Sequence, residues 1–154
     1  MAIYALYRAP GDWQDKLIRA FTGSPYSHVE LLHTRPSGGE AWCISASKRD
    51  GSRVRHKMIQ FKEGHWDFVT VPDLDPDVAW ERAAVHLGSP YDTIGAILTV
   101  TPWARPRDGQ WFCSELMGLS AGLSNPHTLT PGRLAISLLR MGGNRKQFGV
   151  TSWQ

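Results

Sequence analysis

Cys113 and His28 are the residues of this 154-residue chain whose types and settings could support nucleophilic chemistry. Cys113 falls in the expected first turn of a helical stretch, residues 112–123 (FCSELMGLSAGL), just after a loop containing proline and glycine. A thiol there meets the positive end of a helix dipole and unpaired backbone N–H groups, and both favour the thiolate. The same N–H groups could hold an oxyanion during acyl transfer. A thiolate needs a base, and the candidates are His28, His33, His56, His65, His86 and His127. His28 stands apart because it opens a strand directly after a turn, in Tyr26-Ser27-His28-Val29-Glu30-Leu31. His33 lies at the far end of that strand on the opposite face. The base in turn needs a partner on its second ring nitrogen. Ser45 and Ser47 on the following strand are candidates, and so is Glu30, two residues from His28 on the same face. The competing readings are an inert buried cysteine and a structural histidine.

Other chemistry finds little support. There is no HExxH, paired CxxC, EF-hand loop, P-loop or GxGxxG. Asp73, Asp75 and Asp77 alternate, but Pro72 and Pro76 interrupt them, so they read as a solvated loop and helix cap rather than a calcium site. No cofactor or metal is expected. Lysine and arginine total 17 against 14 acidic residues, a net charge of +3. That bias is too weak and scattered for a nucleic-acid footprint. Its densest part, Arg49, Arg53, Arg55 and Lys57, reads as a solvated strand face. Two cysteines do not make a disulfide framework. No apolar run approaches the ~20 residues of a membrane span. Met1 to Ala9 lacks the features of a signal peptide, so the expected location is the cytoplasm as synthesised.

The elements that must position these residues follow from periodicity. Residues 2–8, 27–33, 41–47, 52–61 and 66–72 read as strands, broken by turns such as Pro36-Ser37-Gly38-Gly39 and Asp50-Gly51. Residues 11–22 place Trp13, Leu17 and Phe21 four apart on an amphipathic helix, with Asp12 as cap and Gly23 as stop. Further helices are expected over 76–87, 91–98, 112–123 and 131–141, with a loose tail from Gly142. Strands first and helices second indicate one α+β domain over residues 1–154, a mostly antiparallel sheet packed against the cysteine-bearing helix. Seven tryptophans could line either a core or an aromatic cleft.

Gly88-Ser89-Pro90-Tyr91-Asp92-Thr93-Ile94-Gly95, followed by Phe112-Cys113-Ser114-Glu115-Leu116, resembles the cysteine-helix region of the NlpC/P60 superfamily of papain-like cysteine hydrolases. In most of that superfamily the histidine strand follows the cysteine. Here Tyr26 to Leu31 precede it, which resembles the circularly permuted branch that includes lecithin:retinol acyltransferase-like proteins. Ile44-Ser45-Ala46-Ser47, Arg49-Asp50-Gly51 and Val54-Arg55 are similar to the strand pair after the histidine in bacterial and phage members. The resemblance covers roughly residues 24–123. It implies a permuted papain-like fold, Cys113 as nucleophile, His28 as base and Ser45 at the third, polar position. Many permuted relatives have glutamate at that position, so Glu30 remains an alternative. Substrate contacts are also expected from Tyr91, from Glu30 if it does not orient His28, and, with a role left unassigned, from Glu115. The implied reaction is amide hydrolysis, typically of a peptidoglycan stem peptide, by a cellular or phage-associated enzyme. The alternatives are a lipid-directed acyltransferase or thioesterase, with Ile94 to Val100 and Trp103 as docking segment, and an inactive binding module.

Overall fold

The computed structural model describes residues 1–93 and 108–149, apart from the Gln14 side chain. These form an α+β fold around one antiparallel sheet. The strands are β1 (Ala2–Tyr7), β2 (His28–Leu32), β3 (Glu40–Ser47), β4 (Arg53–Gln60), β5 (Trp66–Val71) and β6 (Asn144–Gln147), in the order β4-β3-β2-β1-β5-β6. The helices are α1 (Trp13–Thr22), α2 (Pro76–Ala84), α3 (Cys113–Ser120) and α4 (Pro131–Arg140), with a short 3-10 turn at Pro126–Thr128. No helix among the described residues is long and apolar enough to cross a membrane.

Strand alternation builds two cores. On one face Tyr4, Leu6, Val29, Leu31 and Ile44 pack with Leu116 and Met117 of α3 and Leu134 and Leu138 of α4. On the other, Ile3, Ala5, Cys43, Phe61, Trp66 and Phe68 cluster with Phe148. Asp50-Gly51 lies in the β3–β4 hairpin as expected, with Gly51 at φ 79°. Asp75 caps α2 by accepting from the Asp77 and Val78 amides, which leaves Pro76 at a position that needs no N–H.

Two features depart from the sequence expectation. The tail from Gly142 is not loose throughout: Asn144 to Gln147 pair with β5 along Thr70 to Asp67. All four residues are exposed, so no apolar alternation marked the strand. Phe148 behind it packs on Phe61 and Phe68, anchoring the edge. The second departure is α1. Asp12 and Asp15 exchange side-chain-to-amide hydrogen bonds of 3.0 and 3.1 Å at its start, and Gly23 at φ 61° ends it. Yet Trp13, Leu17 and Phe21 remain exposed instead of turning into the core. The helical stretch expected over 91–98 lies almost wholly outside the described residues, as do Gly95, Trp103 and the segment Ile94 to Val100.

Candidate active site

Cys113 is the first residue of α3 and His28 the first residue of β2. The two element starts meet at the sheet's rim. The α3 start is firmly seated. Leu116 and Met117 are buried against the sheet, and the Ser114 hydroxyl donates to the Leu129 carbonyl. Gly118 lets the 126–130 segment approach, since a Cβ there would lie 2.5 Å from Leu129 Cδ1.

The His28 imidazole lies between a sulfur and a carboxylate. Nε2 is 2.7 Å from Glu30 Oε1, and the Cys113 sulfur is near enough to act on the ring. With Nε2 engaged by Glu30, Nδ1 is the nitrogen left for the thiol. Burial works against the imidazolium, but the Cys113 sulfur and then Glu30 outweigh it, pushing His28 up to about 9. Burial would also raise Glu30, whose side chain is 1% exposed. Two Arg55 hydrogen bonds, at 2.6 and 2.8 Å, and the bond to His28 instead hold it down at about 2. Arg55 donates in turn to Asp50 at 2.8 Å, and Lys57 donates to the other Asp50 oxygen at 2.6 Å. A part-buried row of alternating charge thus runs His28–Glu30–Arg55–Asp50, with Cys113 beside its first member.

This row corrects several sequence expectations. Ser45 does not orient His28: its hydroxyl donates to the Val29 carbonyl at 2.6 Å and is fully buried. Strand pairing turns that side chain toward its neighbour's backbone. Ser45→Ala should therefore cost about 1 kcal/mol of stability, read by urea denaturation, and leave the histidine's titration unchanged. Glu30 is no substrate contact, because its oxygens are taken by His28 and Arg55. Glu115 accepts from the Phe112 amide at 3.4 Å, capping the helix that carries Cys113. Its burial, with Asp92 adding to the effect, pushes its carboxyl up to about 7. Arg55 is not part of a solvated face, its side chain being 11% exposed. The period-two pattern placed Arg53, Arg55 and Lys57 on one side of β4 but could not reveal that Glu30 waited beneath the middle one.

Tyr91 does reach the site. Its ring packs edge-on against Phe112, centroids 5.9 Å apart, and with His28 it lines a cavity of about 50 Å³. Ser27 also lines that cavity, and its hydroxyl is buried with no hydrogen-bond partner among the described residues. It was missed by sequence reasoning, although it sits next to His28. Asp15 and Ile18 bring α1 to the cavity wall, and Arg49 pairs with both Asp12 and Asp15. Cys113 itself is fully covered.

A scan of protein-family models matches none to this chain, and a search of curated proteins finds no match.

Proposed function

We propose that the protein is a cysteine hydrolase that cleaves an amide bond, with Cys113 as nucleophile, His28 as its acid and base, and Glu30 as the positioning carboxylate. The observation that carries this reading is the His28 imidazole held by Glu30, with the Cys113 sulfur close enough to favour its charged form. In the first step the Cys113 sulfur attacks the substrate carbonyl, forming a C–S bond. The carbonyl oxygen becomes an oxyanion, for which the first amides of α3 offer unpaired N–H groups. The His28 imidazolium gives its proton to the leaving amine, the C–N bond breaks, and a thioester remains. The neutral imidazole then takes a proton from water, which attacks the thioester and releases the acid and the thiolate. Glu30 holds the ring through both steps and stabilises its charged form. In keeping with the sequence resemblance, the substrate class is a peptide such as a peptidoglycan stem.

The test is iodoacetamide alkylation of Cys113 at neutral pH in a Cys43→Ala background, together with release of amine from stem-peptide fragments. His28→Ala should slow alkylation at least tenfold and abolish release. Equal alkylation in both, or a thiol that never reacts, would overturn the reading. One observation favours a second substrate class. The exposed Trp13, Leu17 and Phe21 on α1, beside the cavity, suit an acyl substrate held at a lipid surface. Hydrolysis of acyl esters in vesicles with no turnover of soluble peptides would select it.

A further inference from the structure

A second and larger cavity, of about 350 Å³, opens on the other side of the β2 entry. It lies between the end of α1 and the outer face of α4. Its walls carry the apolar side chains of Phe21, Ile136 and Leu139, and two guanidinium groups, Arg133 and Arg145. No acidic residue is among the described residues lining it. Arg133 donates to the Thr128 carbonyl and Arg145 to the Tyr26 hydroxyl, each through one nitrogen, so each keeps donors free for a ligand. Thr22 also lines this space, and its hydroxyl is buried beneath the surface with no hydrogen-bond partner among the described residues.

We infer that this cavity binds a carboxylate carried on an apolar body, and that it is the recognition site for the charged end of the substrate. Two guanidinium forks around an apolar hollow match an organic anion of amino-acid size. The volume is at the small end of ligand sites, enough for one or two residues. Tyr26 lines this cavity and His28 lines the catalytic one. Two residues of chain span at most about 7 Å, so the two cavities flank the same turn entering β2. The role as substrate site rests on the amide-hydrolase reading, in which a peptide substrate ends in a carboxylate; the binding itself does not.

Binding is therefore measured in the Cys113→Ala protein, where no turnover can interfere. The probe is N-acetylphenylalanine, followed by calorimetry and by NMR shifts of α4 and the Ser24–Tyr26 turn. Its neutral amide should bind at least tenfold more weakly. Arg133→Gln and Arg145→Gln should each weaken the acid at least fivefold and leave the amide unchanged. Ile136 is exposed, so Ile136→Glu places a negative charge at the rim without disturbing the core and should abolish binding. Circular dichroism confirms that each variant is folded. Equal affinity for acid and amide, indifference to both arginine changes, or shifts confined to other surfaces would overturn the proposal. Phenyl phosphate binding more tightly than the acid would overturn the assignment to a carboxylate. A failure here, with His28-dependent alkylation of Cys113 intact, would leave the hydrolase reading standing.

Discussion

Glu30→Ala is expected to lower both stability and turnover. In stability the loss should be about 3 kcal/mol, read as a shift in the urea midpoint at neutral pH. The reason is Arg55. Its guanidinium is nearly buried and holds both Glu30 oxygens, so removing the carboxylate strands a charge in low dielectric. Asp50 still reaches Arg55 at 2.8 Å and keeps the loss at the low end of the range for a broken buried pair. In turnover the loss should be about a thousandfold, because the imidazole loses the group that orients it and favours its charged form. Glu30→Gln separates the two effects. The amide can still accept from Arg55, so part of the stability should return, while the ring loses its anionic partner. Wild-type turnover in a folded Glu30→Gln protein would remove Glu30 from the mechanism.

The second large effect is on pH dependence. The imidazolium both partners the thiolate and protonates the leaving amine, so activity requires His28 charged at the start of the cycle. With His28 raised to about 9, kcat/KM should hold across neutral pH and fall as pH rises through about 9. Glu30 is one of the groups that raises it, so Glu30→Gln should move that alkaline limb to lower pH. Stability should follow the same linkage. The charged His28 contribution is full below its ordinary value of 6.5 and is lost as pH rises through about 9. The Glu30 contribution is full above its ordinary 4.5 and is lost as pH falls through about 2. Between 4.5 and 6.5 both are complete, so the thermal midpoint should be flat there and decline on either side. An alkaline limb unmoved by Glu30→Gln would show that another group controls it.

Much of this protein was determined by the sequence alone. Alternating apolar residues marked β1 to β5, and the Asp75-Pro76 cap marked the start of α2, because strand period and cap chemistry are local. Cys113 at a helix start and His28 at a strand start were legible for the same reason. The tertiary structure decided what those groups touch. Ser45 was the first candidate to orient His28 and Glu30 the alternative, since both fit strand periodicity. The choice came from β2–β3 pairing, which gives the Ser45 hydroxyl to the Val29 carbonyl. Arg55 and Glu30 are 25 residues apart in sequence, and only the stacking of β4, β3 and β2 brings them within 2.6 Å. Strand β6 escaped notice because a fully exposed edge strand gains its order from backbone pairing and from Phe148 behind it, neither of which leaves an apolar period. The exposed face of α1 was equally hidden: a helical period states that an apolar stripe exists, and only the packed chain states whether anything covers it.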